Sequence, residues 1–357
     1  MSKEIETMPD DVLYHVCTRV LRKKVTLKEA TLWLKANGYP TAKRTWPHKM
    51  LVEAFDRGLI EFPRRENYEL AGRIQRNSGT LCRVSAVEND DDTAFETVAE
   101  LAADQVLHLI RQVHSAGQHI HPPCNDVHIG LAAGGTSRAF ANHLARKLQK
   151  ERKLPQLWLH TLTSGFFVDN PDSAPVVSLG QFNGIEPRPK FVVLFSTPLV
   201  SLEETKTLRE LPFTREAFQA AGKLDIVVTS VSVAGHDHSL FRRAIMQEDP
   251  DRAKERIEKL DAQDWAGDIM WQPYSTQGQL IECDVHAVSV VDFHELVRLS
   301  NAPAKYVVCI AGLCADCKAP KDRAVVPLMR GASTRRPFNH LVTTQSTARR
   351  ICEKLGW

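Results

Sequence analysis

Residues 128–140 read HIGLAAGGTSRAF, which passes from an apolar run through two glycines into a segment of helical composition. Gly134 and Gly135 allow unusual backbone angles and close approach of a ligand. The helix that follows offers free N–H groups and a positive dipole end, and Thr136 and Ser137 add hydroxyl donors. This chemistry suits a phosphate, although Gly followed by Ser or Thr also makes an ordinary helix start.

Apolar runs and helical patterns alternate on both sides of this stretch, which predicts an α/β protein. The predicted strands are short and apolar, as is typical of strands buried on both faces. They are DVHIGLA (126–132), QLWLHTLT (156–163), KFVVLF (190–195), LDIVVTSVS (224–232), KYVVCIAG (305–312) and HLVTTQ (340–345). The predicted helices are 95–117, 136–151, 249–263, 292–299, 321–331 and 347–356. The alternation predicts a Rossmann-like, mostly parallel sheet.

Ligands of such sheets bind beyond the carboxyl ends of the strands. Four loops are therefore candidates for parts of one binding site. They are residues 133–137, 233–239, 313–318 and 343–347.

The N-terminal residues predict a small helical domain followed by a hairpin. A first helix covers 9–24, and Thr26 with Glu29 has the order of a capping box that starts a second helix ending near Gly38. Thr45 as N-cap places Pro47 in the first turn of a third helix. LIEF, PRREN and YEL (59–70) then suggest two strands and a turn. We expect a winged helix-turn-helix domain at 1–75, followed by the α/β domain at 76–357.

The charge distribution favours DNA as a partner of this small domain. Residues 19–49 hold nine Lys and Arg and a single acid, Glu29, whereas the chain as a whole carries only +3. Backbone phosphate contact is the simplest interpretation, and a helical packing or dimerisation module with a solvated basic face is the alternative. The candidate DNA-binding residues lie at the start of the third helix and at the tip of the wing: Lys43, Arg44, His48, Lys49, Arg64 and Arg65.

Composition excludes several classes of protein. The apolar fraction of 43% and the charged fraction of 25% are ordinary for a globular protein. No apolar run of about 18 residues occurs, and MSKEIETMPDDVLYH lacks the order of a signal peptide, so we expect a cytoplasmic protein with no membrane contact. Eight cysteines in 357 residues are too sparse for a disulfide framework, which favours a reducing compartment.

Several segments resemble, in the same order, the sugar-binding domain of SorC/DeoR-type bacterial transcription regulators. HIGLAAGGTSRAFANHLA resembles the strand-loop-helix that opens that domain, and LFSTPLV (194–200) its apolar-Pro-apolar stretch. The later segments of the family's order follow along about 95–357. They are LDIVVTSVS, GDIMWQPYSTQGQLI (267–281), HAVSVVDFHELVRLSNAPAKYVVCIAG (286–312) and HLVTTQSTARRI (340–351).

The resemblance implies a regulator of sugar metabolism that binds DNA as a homo-oligomer, either a dimer or a tetramer. It further implies that the protein releases DNA or changes its affinity for DNA when a phosphorylated sugar occupies the α/β domain. Gly134, Gly135 and Thr136 fall on the family's phosphate loop, with Ser137 beside them. Asp268 falls on an acidic position that would accept a sugar hydroxyl. Lys318 falls near a lysine that would meet a second anionic group. No cofactor is implied.

This sequence departs from the family's pattern at positions that surround the loop. Thr344 stands where the family has Asp, and Ser164 with Gly165 offers no basic partner. AGLCADCK, which contains Leu313, is longer than the family's equivalent loop. These departures leave the identity of the effector open, and also whether effector binding is retained.

The cysteines and histidines allow other chemistry. Cys314 and Cys317 form the one C-x-x-C, but a tetrahedral zinc site needs a second ligand pair and a redox pair would favour a helix start, so we interpret them as free loop thiols. His236 and His238 could ligate a metal or line the cleft, and a solvated loop is the simpler interpretation. We therefore predict no metal site.

Two other classes of protein remain as alternatives to a regulator. Sugar-phosphate isomerases and deaminases share a related framework, but they need a general base, and only Asp237, Asp268 and Glu282 stand as isolated candidates. The sequence GLAAGG lacks the glycine spacing of a nicotinamide site. A protein that keeps the fold and only binds other proteins is the third class. We expect a DNA-binding, sugar-phosphate-responsive regulator and not an enzyme.

Overall fold

A computed structural model describes residues 3–57, 59–60, 66–79, 81–88, 93–118, 125–164, 171–314, 316–330 and 335–357. The chain divides into two compact units, Met1–Arg64 and Arg65–Trp357. The division lies earlier in the chain than the expected domain boundary between 75 and 76. None of the described helices is both long and apolar enough to cross a membrane.

The described part of the first unit is helical. Its helices are α1 (Lys3–Glu6), α2 (Asp10–Leu21), α3 (Leu27–Ala36) and α4 (Trp46–Asp56). The capping box at the start of α3 is present: the Glu29 N–H donates to Thr26 Oγ1, and the Thr26 N–H donates to Glu29 Oε2 at 2.7 Å. Pro47 lies in the first turn of α4, as its missing N–H requires.

Apolar side chains of all four helices form one core in this unit. It includes Leu13 and Val16 of α2, Leu34 of α3, and Met50 of α4. The Arg57 guanidinium, just after α4, donates to three backbone carbonyl oxygens in and just after α1. It also donates to the carboxylates of Asp10 and Glu53. These bonds fix the end of α4 against the N-terminal helix.

The second unit begins with α5 (Tyr68–Ser78), which corrects the predicted hairpin. YEL was expected to be its second strand, but it forms the first turn of α5 because the Asn67 side chain accepts a hydrogen bond from the Leu70 N–H at 3.0 Å. Ala71 and Ile74 then face the core at helical spacing. The central part of the predicted wing, residues 61–65 with Arg64 and Arg65, lies outside the described residues.

The main sheet has nine strands, of which seven form a parallel path in the order β1-β11-β10-β6-β2-β3-β4. These strands are β1 (Arg83–Val87), β2 (Asp126–Leu131), β3 (Gln156–Thr161), β4 (Lys190–Val192), β6 (Ile226–Val233), β10 (Tyr306–Ala311) and β11 (His340–Thr344). Each of the six predicted strands is present, and β1 adds a strand that the sequence did not suggest. The predicted mostly parallel α/β sheet is confirmed.

Alternating strand residues separate the core into two layers. Ile226 and Val228 of β6 join one apolar cluster, and Val227 between them joins the other, as the period of a strand requires. One face is covered by α6 (Ala94–Gly117) and α7 (Gly135–Leu148). The other is covered by α5 and by α13 (Phe293–Asn301), α14 (Asp322–Arg330) and α15 (Gln345–Leu355).

A short antiparallel extension pairs with the carboxyl-terminal end of β6. It consists of β7 (Trp265–Ile269) and β8 (Gln272–Ser275), with β7 paired to β6. Gly267 permits this close approach, because a Cβ there would lie 2.4 Å from the Ser232 carbonyl oxygen. The remaining elements are α8 (Pro175–Leu179), β5 (Leu199–Val200), α9 (Leu202–Glu210), α10 (Pro212–Ala220), α11 (Leu240–Glu248), α12 (Pro250–Asp261) and β9 (His286–Ala287).

Candidate functional site

A cavity of about 200 Å³ opens at the carboxyl ends of the parallel strands. The loops after β2, β6 and β10 contribute to its wall, together with β7. The chain proceeds from β2 to β3 on one side, whereas β6 lies on the other side of β2. The cavity therefore lies at the point where the strand order reverses, which is where α/β sheets usually bind ligands.

Gly134 turns the chain from β2 into α7. Its φ of +107° and ψ of 165° belong to a region that only glycine adopts readily. The Gly134 N–H donates to the Ser173 carbonyl at 2.9 Å, which holds the loop in place. A Cβ at Gly135 would meet no atom within 4 Å, so the space above the helix start is open. No side chain caps α7 in the described structure, and its first two residues, Gly135 and Thr136, line the cavity.

A buried lysine lies beside this helix start. Lys321 is 9% exposed, lines the cavity, and its Nζ lies 3.4 Å from Thr136 Oγ1. Burial lowers the pKa of Lys321, and the nearby Cys314, Cys309 and Asp268 partly oppose that shift. Within the described chain no carboxylate oxygen lies within 4 Å of its ammonium group, so an anionic ligand would supply a missing counter-charge.

Asp268 projects from β7 into the same cavity and is almost wholly buried. The Ser239 hydroxyl donates to Asp268 Oδ2 at 2.9 Å and also accepts from the Arg242 N–H, which caps α11. Burial raises the pKa of Asp268 to about 6, against the opposing effects of Ser239, Lys321 and Ser232. The carboxyl group is therefore a strong hydrogen-bond acceptor at neutral pH and one that is incompletely solvated.

The hairpin after Asp268 carries backbone strain. Met270 (φ 52°) and Trp271 (φ 62°) are both left-handed, as a two-residue hairpin turn between β7 and β8 requires. Neither is a glycine, and both are buried and line the cavity. Such strain costs about 1–3 kcal/mol per residue and is characteristic of functional sites.

The structure separates the predicted site residues into two groups. Gly134, Gly135, Thr136 and Asp268 line one cavity. Ser137 is buried in α7, and its hydroxyl does not reach the cavity wall. Lys318, expected from the resemblance, is exposed, has a left-handed backbone (φ 57°) and is not part of the cavity lining.

The lysine that reaches the cavity is Lys321, three residues further along the chain. The resemblance indicated Lys318, and no local motif in the sequence indicates Lys321. Thr163, at the end of β3, was also missed. Its buried hydroxyl lines the cavity and has no hydrogen-bond partner in the described structure.

The positions that depart from the family have structural roles. Ser164 Oγ donates to the Thr197 carbonyl at 2.9 Å, and Leu313 is buried and pairs with Pro320. Thr344 caps α15 by accepting from the Thr347 N–H. The loop at 343–347 does not contribute to the cavity lining.

The loops after β6 and β10 bring the remaining reactive side chains together. His236, His238, Cys314 and Asp316 line the cavity, and His238 Nδ1 lies 3.4 Å from Asp316 Oδ2. Of the isolated carboxylates considered as general bases, only Asp268 lines this cavity; the Asp237 side chain is 90% exposed. In the described ranges, no three His, Cys, Asp or Glu side chains are arranged to hold a metal ion.

Four of the candidate DNA-binding residues lie in the described part of the first unit. Lys43, Arg44, His48 and Lys49 are all exposed. His48 and Lys49 lie in the first turns of α4, and the other two precede it. Trp46, Met50 and Ala54 of α4 pack in the unit's core, whereas His48 and Lys49 are exposed to solvent.

Known structures share this fold. The full-length sorbitol operon regulator SorC from Klebsiella pneumoniae aligns over 97% of this chain and 99% of its own, with 15% identity and a TM-score of 0.62. A DeoR family transcriptional regulator from Listeria monocytogenes aligns over 79% of this chain and 98% of its own (20% identity, TM-score 0.56). A transcriptional regulator from Streptococcus pneumoniae TIGR4 aligns over 81% and 98% (13% identity, TM-score 0.61).

The resemblance to SorC/DeoR-type regulators is thus confirmed at the level of the fold. No protein-family profile matches the chain, and no curated protein matches it in sequence. The likeness is one of architecture rather than of sequence.

Replacing Asp268 by Asn should raise the free energy of unfolding at neutral pH. The folded-state pKa of Asp268, about 6, lies above its ordinary value of 3.8, so the unfolded chain loses this proton first as the pH rises. The carboxyl group therefore destabilises the fold increasingly between pH 3.8 and 6, and by a constant amount above. Urea unfolding of both proteins from pH 4 to 8 measures the difference.

The exposed Asp261 provides the matched control. Asp261→Asn should leave a difference from wild type that does not change between pH 4 and 6. A difference for Asp268→Asn that is equally flat would contradict the raised pKa.

Proposed function

We propose that this protein is a DNA-binding transcription regulator of carbohydrate metabolism whose α/β domain binds a phosphorylated sugar. The proposal rests on three features that lie together in one cavity: the uncapped start of α7, the Thr136 hydroxyl and the buried Lys321 ammonium group. A phosphate is an anion that satisfies all three. The cavity at residues 76–357 would be the effector site, and residues 1–75 would bind DNA.

The phosphate would lie against the start of α7. Its oxygens would accept from the free first-turn amides and from Thr136, where the helix dipole favours negative charge. In the complex the phosphate would place a negative charge beside the Lys321 ammonium group. Ligand binding would therefore raise the pKa of Lys321, which burial lowers in the free protein. Arg138 is already paired with Asp172 at 2.6 Å, so we assign the phosphate contact to Lys321.

The sugar hydroxyls would be recognised at the opposite wall. Asp268 accepts hydrogen bonds from Ser239 and can accept further ones from a ligand. Met270 and Trp271 add an apolar surface beside it, which suits the carbon face of a sugar. A molecule with a phosphate at one end and hydroxyls at the other therefore matches the distribution of groups.

The similar structures support a regulator over other classes. Those compared above are transcriptional regulators, and one of them is the sorbitol operon regulator. The exposed Lys43, Arg44, His48 and Lys49 at α4 would contact the DNA backbone, with Arg64 and Arg65 as further candidates. A homo-oligomer, a dimer or a tetramer, would bind a symmetric site, and the effector would shift the population of its DNA-binding state.

A sugar-phosphate isomerase or deaminase is the second candidate function. One observation favours it: Asp268, in a cavity beside a lysine, has a pKa near 6, which suits a general acid or base. Turnover of a sugar phosphate by the purified chain would establish it.

Thr136→Asp should abolish stabilisation of the protein by sugar phosphates. A carboxylate at this helix start repels the phosphate, and we expect affinity to fall about 100-fold or more. Thermal-shift titration with a panel of sugar phosphates measures the loss. Thr207→Asp, on the exposed face of α9, is the matched control and should keep the full shift. An unchanged shift in the Thr136 variant would eliminate the phosphate site.

Charge reversal at Lys43 and Lys49 should weaken binding to duplex DNA. Loss of two phosphate contacts reduces the slope of log affinity against log salt by about 2. Fluorescence anisotropy with duplex DNA at several salt concentrations gives both quantities. Reversal of Arg152 and Lys153, exposed in the second unit, makes the same change of net charge and should leave the slope unaltered. Equal effects of the two double variants would show that the basic segment is only a solvated face.

A further inference from the structure

Two cysteines of the loop after β10 converge beside the effector cavity. Cys314 lines the cavity and is partly buried, whereas Cys317 is exposed. The Cys317 side chain lies close enough to Cys314 to contribute to the raised pKa of its thiol, after the larger effect of burial. The Lys318 N–H donates to the Cys314 carbonyl at 3.0 Å and closes the turn that brings them together. A disulfide between them would therefore require little change of the backbone.

A histidine of the loop after β6 contacts this pair. Cys317 Sγ lies 3.9 Å from His236 Nδ1. Burial lowers the pKa of His236, and the neighbouring His238 and Arg323 lower it further, so its imidazole is neutral at pH 7 and can accept a proton. The His238–Asp316 pair links the same two loops at 3.4 Å. The thiol and its proton acceptor are thus held by the loops that follow two adjacent strands, β10 and β6.

We infer that Cys317 and Cys314 form a peroxide-reactive dithiol, in which Cys317 is the attacking thiol and Cys314 the resolving one. The Cys317 proton passes to His236, and the thiolate attacks one oxygen of hydrogen peroxide. The O–O bond breaks, and the departing hydroxide takes the proton from His236 to leave as water. Cys317 is then a sulfenic acid.

The Cys314 sulfur attacks the sulfenic sulfur in the second step. The S–S bond forms, the S–O bond breaks, and the hydroxyl leaves as a second water with the Cys314 proton. Two thiols and one peroxide thus give one disulfide and two waters.

Exposure and protonation determine the order of the two steps. Cys317 is open to solvent and contacts the base, whereas burial raises the pKa of Cys314 and keeps it protonated until the sulfenic acid is beside it. Among the described cysteines, Cys17, Cys309 and Cys352 are buried, so peroxide does not reach them readily.

Oxidation would also change the cavity itself. A disulfide would join Cys314, which lines the cavity, to Cys317 and would make this loop shorter and stiffer. The consequence for effector affinity rests on the proposed function, whereas the dithiol itself does not.

A zinc site is the competing interpretation of the same side chains. It would use Cys314, Cys317 and one or both of His236 and His238. In the described structure these groups are not arranged around a metal position, which favours the dithiol.

The test treats the reduced full-length protein with hydrogen peroxide and follows the peptide that contains both cysteines by mass spectrometry. We expect it to lose two hydrogens, and reductant to restore them. Cys314→Ser should trap Cys317 as a sulfenic acid that reacts with dimedone, and Cys317→Ser should block the reaction. His236→Gln should slow it at least about 10-fold. His294→Gln and Cys82→Ser, both at exposed positions, are the controls and should leave the rate unchanged.

The following outcomes overturn the inference, one part of it, or the proposed function alone. Oxidation of Cys82 as fast as Cys317, or no disulfide in the wild type, removes the dithiol. A stoichiometric zinc that protects both thiols until it is chelated replaces it with a metal site. Equal thermal shifts by inorganic phosphate in the reduced and oxidised proteins remove the link to the cavity. Absence of any phosphate shift in both forms, with the disulfide formed, contradicts the proposed effector site alone.

Discussion

Parallel pairing of β2, β6 and β10 is the constraint on which the site depends. Because the strands run in one direction, their carboxyl ends meet at one edge, and the loops that follow them must share one space. Thr136, His236 and Lys321 lie far apart in sequence, yet all line one cavity. Gly134 and Gly267 permit the two close approaches that complete the wall, one at the start of α7 and one where β7 meets β6.

The cavity holds charges that the fold alone leaves poorly compensated. Lys321 and Asp268 are both buried, and their pKa values shift in opposite directions, each toward its neutral form. Desolvation of such groups reduces stability unless a partner compensates it. An anion at Lys321 and hydroxyls at Asp268 would provide that compensation. The cavity therefore has the energetic character of a binding site, in which stability is exchanged for affinity.

Apolar periodicity was sufficient to predict the sheet. All six predicted strands are present because the strands of a parallel sheet are buried on both faces by helices. Such strands appear in the sequence as short, continuous apolar runs. The strands β1, β7 and β8 were missed because they carry polar or aromatic residues and depend on pairing partners distant in sequence. The segment YEL was assigned to a strand because three residues are too few to distinguish the period of a strand from that of a helix. The hydrogen bond of the Asn67 side chain to the start of α5 is what makes this segment helical.

The site was predictable where a local motif carries it. The Gly-Gly-Thr turn is a property of a few adjacent residues, and so Gly134, Gly135 and Thr136 could be placed from the sequence. Lys321 could not, because the length of the Cys314 loop determines which lysine reaches the cavity, and the resemblance favoured Lys318. The contact between Cys317 and His236 joins loops about 80 residues apart, so no sequence spacing could reveal it.

The central claim is that the cavity binds a phosphorylated sugar and does not transform it. Thermal-shift titration of the full-length protein with matched pairs of free and phosphorylated sugars, combined with an assay of turnover for each compound, tests it most directly. We expect some phosphorylated members to stabilise the fold by about 2.7 kcal/mol at a concentration of 100 Kd, their free partners to do so far less, and none to be consumed. Equal stabilisation by free sugars, turnover of any member, or no stabilisation across the panel would contradict it.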